Sequence, residues 1–421
     1  MGERVVIVGG GVVGLCTAYY CARRGFRVTL VERNGPVRDG CSYGNAGMLV
    51  SSHFVPLAAP GMVALALKWM WNPASPFYLK PRLSPSLFGW GYKFWRASTR
   101  QHVRRAAPLL INLSVASHRC YDELAQLPGS EFGLVHKGLL MLCRTPHALD
   151  EESETAEMGR ALGIESQTLS AREVATLDPG IKMEVEGGVY FPQDRHLTPQ
   201  RFVREMQDRL AAMGVEFVWN TEVVDWRLDT GRKIRAMSTK RGPAIEGDEF
   251  VLCGGSWSPA LVRGLGLKIP IEAGKGYSLT LSNPRRSPSI CAILTEARLA
   301  VTPMGGTLRF AGTMEIAGLD ETISPVRVRS IIAAATTFYP EIPASDFEGV
   351  EPWRGLRPCS PDGLPYVGRT RRYANLSVAA GHAMMGMSLG PVTGELVAGM
   401  LAGEAPPFDI AQLSPDRYDT R

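Results

Sequence analysis

No Cys-x-x-Cys pair occurs among the eight cysteines, at positions 16, 21, 41, 120, 143, 253, 291 and 359. Zinc ribbons and iron–sulfur clusters need clustered thiols, so no metal site is expected, and the scatter argues against a disulfide framework. A reduced, cytoplasmic setting is the expectation. No apolar run reaches the ~18 residues that span a bilayer, so no transmembrane helix is expected. The first strand candidate begins at Arg4, so no signal peptide is expected before it. Internal repeats and low-complexity segments are absent too. The most uneven absence is of acid. From Gly40 to Tyr121 there is no Asp or Glu, while nine Lys or Arg (68, 80, 82, 93, 96, 100, 104, 105 and 119) fall there. Trp69, Trp71, Trp90 and Trp95 share that window.

What is present suits an α/β enzyme. At 421 residues the chain fits roughly two domains of ~150–200 residues each. Hydrophobic content of 45% and charged content of 21% are ordinary for a globular protein. The 45 glycines and 30 prolines favour turns over long bundles. "RVVIVGG", "GVVGLCTAYYCARRG" and "FRVTLVER" read as strand, helix, strand. "GLLMLCR" is a strand candidate followed by an acidic helix. "HLTPQRFVREMQDRLAAMG" predicts a helix with Thr198 as N-cap, Pro199 as first residue and Gly214 as stop. Its Phe202, Met206, Leu210 and Met213 share one face. A last helix is expected from about Pro391 to Ala402.

Gly9-x-Gly11-x-x-Gly14 joins the first strand to the first helix, and Glu32 ends the second strand 23 residues after Gly9. That is the spacing of a dinucleotide site. The first glycine turns tightly, the second admits a pyrophosphate to the backbone, and the third packs helix on strand. The helix N-terminus meets the phosphate charge. Glu32 suits both ribose hydroxyls and disfavours a 2′-phosphate.

FAD and NAD share this fingerprint. Two further strand-to-helix turns, "FVLCGGSWSP" (250–259) and "GHAMMGMSLGPVTG" (381–394), favour the longer, enclosed cofactor, FAD. A helix start near Ser388–Pro391 would face the pyrimidine edge of the flavin.

These blocks resemble the FAD-dependent D-amino acid oxidase superfamily, most closely its bacterial D-amino acid dehydrogenase branch and the related D-hydroxyproline dehydrogenases. The resemblance spans essentially the whole chain. Besides the segments above it rests on "SYGNAGML", "PLAAPGM", "PFYLKPR", "KGYSLTL", "RFAGTMEI", "WRGLRPCSPDGLPYVG" and "NLSVAAGHAMMGMSLGPVTGELVA". It implies a glutathione-reductase-type Rossmann FAD domain with an inserted antiparallel-sheet substrate domain. The corresponding segments are 1–52, 192–268 and 352–421 for FAD, and 53–191 and 269–351 for substrate.

The implied chemistry is hydride transfer from Cα of an amino or cyclic imino acid to flavin N5, with electrons passed to a quinone or an electron-transfer partner. Oxygen as acceptor, or a role as flavin subunit of a heteromeric enzyme, stays open. By the resemblance, Arg357 binds the substrate carboxylate and Tyr277 touches substrate, unless Tyr277 is a half-buried strand aromatic. His53 follows the flavin loop closely enough to reach substrate, or else faces solvent.

Expected FAD contacts are Gly9, Gly11, Val12, Val13, Gly14, Glu32 and Arg33; then Ser42, Asn45, Ala46, Gly47 and Met48; then Val223, Gly254, Gly255 and Trp257. The C-terminal turn adds Gly381, His382, Met385, Gly386, Met387 and Ser388, with His382 serving backbone geometry. Met384 replaces an arginine found in glycine oxidases, which predicts an apolar site with Met384, Met385 and Met387 near the ring. Cys359 does not match the position used for covalent flavin, so FAD is expected to be non-covalent. The basic, aromatic stretch 53–108 suits either the anionic inner face of a cell membrane or the core of the substrate domain. Nothing in the site chemistry supports nucleic-acid binding.

Overall fold

The computed structural model describes residues 2–37, 40–70, 72, 75–80 and 82–419; Trp71 lies outside them. The apolar runs near both ends and the middle build one six-stranded sheet. Its order is Tyr366–Arg369, Leu376–Ala380, Glu249–Leu252, Arg4–Val8, Arg27–Val31 and Glu216–Val218. All neighbours are parallel except the first pair. Near-continuous Val, Ile and Leu are what a parallel sheet covered on both faces requires. Helices Val12–Arg23 and Gly386–Leu401 pack together against it. Helix Pro199–Ala212 starts after Thr198 and stops before Gly214, with Phe202, Met206 and Leu210 buried. Met213 lies one residue past that helix and is 37% exposed, so it leaves the predicted face.

A second, mostly antiparallel sheet runs in the order Trp353–Cys359, Glu272–Ser282, Thr307–Ile316, Leu299–Met304, Cys291–Leu294, Leu139–Cys143, Gly187–Phe191 and Gln167–Ser170. Phe77–Leu79 adds to Thr307–Ile316. Helix Pro325–Phe338 covers one face, where Tyr277, Leu279, Phe310, Ile331 and Phe338 form a core.

Two elements cross the segment boundaries expected from sequence. Trp353–Cys359 pairs with Glu272–Ser282 in this second sheet, although 352–421 was assigned to the FAD domain. Helix Arg100–Ala125, assigned to the substrate domain, buries Leu109, Leu113 and Tyr121 in the core of the first sheet's helices. Its apolar stripe matches the first helix and Gly386–Leu401, so packing overrides chain order.

The stretch 53–108 divides by helix face. In Pro85–Ala97, Leu87, Trp90 and Phe94 are buried at helical spacing, and Trp90 Nε1 donates to Cys359 O at 2.8 Å. Phe88, Tyr92 and Trp95 point outward, and Leu83 just before the helix is 96% exposed. Among the described residues no helix is long and apolar enough to cross a membrane.

Candidate active site

The strand Arg4–Val8 runs into Gly9 at φ 105, where the chain passes so close to the 249–252 strand that a Cβ would lie 2.4 Å from Cys253 O. Gly11, by contrast, faces open space apart from Ser42 Oγ. The first helix has no acidic side chain in its first turn. Ser42 Oγ accepts from Val12 N at 2.9 Å, so the loop after the second strand reaches back to the helix N-terminus. Glu32 is nearly buried and accepts from Gly10 N at 2.8 Å and Asn34 N at 3.0 Å. Arg33 lies over the Trp257 ring at 3.7 Å. Val223 packs with Val8 and Val31 behind this edge. A backbone niche at a helix N-terminus, an acid beside it and a cation–aromatic stack fit an adenine dinucleotide.

Asn45 Oδ1 accepts from Gly47 N at 2.8 Å and so closes a local turn. Met48–Leu49 pairs antiparallel with Arg195–His196. Ser388 Oγ donates to Met48 O at 3.0 Å and accepts from Val50 N at 3.3 Å. The loop 41–50 is thereby strapped to the start of the last helix.

That helix begins at Gly386, five residues before the expected Pro391. Pro391 lacks the N–H that would bond Met387 O; the Tyr121 hydroxyl donates to that carbonyl instead, at 2.5 Å. The dipole end expected at Ser388–Pro391 therefore lies at Met385–Gly386. Met385 is half-buried beside the cluster of Met48 and Val50. Of the other two methionines expected near the ring, Met384 is 44% exposed, and the Met387 side chain is buried in the core of the first sheet's helices. The His382 ring bonds Thr393 Oγ1 at 2.9 Å, and burial pushes its pKa down to about 3. It therefore fixes the turn at Gly381 as a neutral group.

Arg357 comes from the second sheet, opposite Gly274. Its guanidinium crosses Gly276, where a Cβ would lie 2.2 Å away, and donates to Thr313 O at 2.6 Å. Among the described residues no carboxylate lies within ion-pair distance of it. Burial holds its pKa below the usual arginine value. It is only half-buried, as are Ala46, His53 and Met385. The sheet face bearing Arg357 meets the loop 41–50 at Cys41 with a cation that no described carboxylate pairs.

Tyr277 does not join it. Strand side chains alternate, and Tyr277 shares the opposite face with Lys275. Its hydroxyl donates to Glu315 at 2.7 Å, and Lys275 and Arg327 lie 3.6 and 3.5 Å from the same carboxylate. The expected substrate contact is a buried network residue. A cavity of about 190 Å³ on that side, lined by Leu299, Thr313 and Ile331, carries no charged side chain.

His53 is more suggestive. Its Nδ1 lies 3.3 Å from Ser52 Oγ, which donates to Asp194 at 2.5 Å. Asp194 is fully buried and also accepts from Ser51 N and Ser51 Oγ, each at 2.7 Å. Burial pushes Asp194 up to about 6. Burial, and then Arg298, hold His53 down to about 4. Sequence reasoning missed Asp194 and Arg309, since neither stands in a spacing that marks chemistry. Among the described residues no group of three metal-ligating side chains occurs.

Comparison with known proteins agrees with this geometry. The chain is 31% identical to a D-amino acid dehydrogenase of Paramagnetospirillum magneticum, covering 99% of each protein. It is 32% identical to one of Methylobacterium nodulans over 99% of each. Its fold resembles that of glycine oxidase from Geobacillus kaustophilus, with a TM-score of 0.77, 25% identity and 99% of each chain covered. L-proline dehydrogenase from P. horikoshii shares the fold at a TM-score of 0.77 and 18% identity, covering 99% of this chain and 98% of that one. Residues 4–400 match the FAD dependent oxidoreductase family, and the chain belongs to it.

Proposed function

We propose that this enzyme dehydrogenates a small D-amino acid, or a cyclic imino acid of the proline or hydroxyproline type, at Cα. FAD, bound non-covalently, supplies the hydride acceptor at N5. The chain's residues position substrate and exclude water. One observation carries the reading: Arg357 is a planar cation that no described carboxylate pairs, set close to Cys41 of the loop 41–50. A substrate carboxylate supplies the missing partner through a two-pronged contact. His53, neutral at physiological pH and oriented by Ser52 and Asp194, is placed to accept a proton from the substrate amine. The half-buried Met385 keeps the site apolar enough for a ring or alkyl side chain.

The D configuration rests on the full-length relatives, and the electron acceptor on their designation as dehydrogenases: a quinone or an electron-transfer partner. The likeness to glycine oxidase favours a second reading, electron transfer to oxygen. Stoichiometric peroxide without added dye selects it. If the purified chain with FAD reduces a dye on its own, a role as mere flavin subunit fails.

The outward Phe88, Tyr92, Trp95 and Leu83, with exposed Arg96, Arg100, Arg104 and Arg105, support docking on an anionic membrane from the cytoplasmic side. An anaerobic screen of D- and L-amino acids, proline and hydroxyprolines, read by loss of flavin absorbance, tests the substrate class. Bleaching by none of them rejects it.

A further inference from the structure

Arg309, on the strand Thr307–Ile316, is 5% exposed and makes no ion pair with any described residue. It is the second cation on the Arg357 side of the sheet left without a carboxylate. Its Nε donates to Thr280 Oγ1 at 3.0 Å, and one terminal nitrogen donates to Tyr43 O at 3.2 Å and Asn45 O at 2.8 Å. An unpaired buried charge is costly, so its retention calls for a cause. Both backbone acceptors lie in the loop 41–50.

A trans peptide points its N–H opposite to its C=O. Holding the carbonyls of Tyr43 and Asn45 therefore turns the amides of Gly44 and Ala46 to the other side of the loop. Asn45 Oδ1 holds the next amide, of Gly47. Burial alone pushes the Arg309 pKa down to about 10, which leaves it charged at any physiological pH.

We propose that Arg309 is a positioning residue for the flavin: it fixes the loop amides that face the ring, and its uncompensated charge favours the reduced, anionic form. Thr280 keeps the guanidinium flat beneath the loop. The inference rests on the flavin ring lying against residues 45–48, as the proposed function requires.

Two variants of the full chain, Arg309→Met and Arg309→Lys, separate the two effects. The readouts are FAD affinity by flavin fluorescence, midpoint potential against reference dyes, and melting of the apoprotein as a folding control. Arg309→Met is expected to weaken FAD binding about tenfold and to lower the preference for reduced flavin about tenfold, which for two electrons is about 30 mV. Arg309→Lys keeps the charge but loses the fork, so FAD loosens while the potential holds. Wild-type affinity and potential in a folded Arg309→Met protein overturn the inference. If that variant does not fold, Arg309→Lys decides: looser FAD at unchanged potential supports the role, and unchanged affinity overturns it. A wild-type chain that binds no FAD contradicts the flavin placement itself, a different result from either.

Discussion

The two faces of the second sheet bury cations in opposite ways. Under helix Pro325–Phe338, Lys275 and Arg327 share Glu315, with the Tyr277 hydroxyl completing the set. On the face toward the loop 41–50, Arg357 and Arg309 donate, among the described residues, only to carbonyls and one hydroxyl. On the paired face the cations are finished with a carboxylate. The unpaired face is the one we propose receives the substrate anion and the flavin. Similar composition therefore serves stability on one side and binding on the other, and the presence of a counter-ion tells them apart.

The largest expected effect breaks the finished face. Glu315→Ala strands the buried Arg327 and leaves Lys275 with Asp320 alone, and is expected to cost about 3–5 kcal/mol of stability, read as a lower denaturation midpoint. Next comes the open face. Arg357→Ala removes an unpaired charge, so the apoprotein is expected to melt near the wild-type temperature with flavin retained. The KM for substrate, however, rises by about 30-fold to several thousand-fold, the equivalent of ~2–5 kcal/mol. Equal loss of stability in both variants erases the contrast. Tyr277→Phe is expected to leave KM unchanged and to cost about 1 kcal/mol of stability, the loss of one hydrogen bond. A raised KM returns Tyr277 to the substrate site.

Acid is expected to act through histidines. Burial holds His53, His118 and His196 down to about 4 and His382 to about 3. Each binds fewer protons folded than unfolded between that value and about 6.5, so stability falls as pH drops through this window. Asp194, raised to about 6, and Glu152, raised to about 7, oppose the trend by binding protons in the folded state. Melting at successive pH values measures the balance, and His382→Gln is expected to flatten it. The smallest effect lies outside the fold: Trp95→Glu with Leu83→Glu is expected to reduce co-sedimentation with anionic vesicles while activity on soluble dye stays.

The cradle at Gly9–Glu32 and helix Pro199–Ala212 were legible in sequence because local spacing determines them. Arg357 was legible through its motif, but its lack of a partner was not. That depends on strands far apart in sequence, which bring Gly276 beneath the guanidinium. Tyr277 was misplaced by the parity of a single strand residue. The early start of the last helix was hidden because Tyr121, 266 positions away from Met387, takes the bond that Pro391 cannot form. The stretch 53–108 left surface and core as alternatives, and Pro85–Ala97 carries both, one on each helix face.

We propose above all that Arg357 holds the substrate carboxylate. Anaerobic bleaching of the FAD-loaded enzyme by its best substrate, compared with the corresponding carboxamide, tests it most directly in wild type and Arg357→Ala. Wild type is expected to prefer the acid strongly, and the variant to lose that preference. A variant that still prefers the acid as strongly contradicts it.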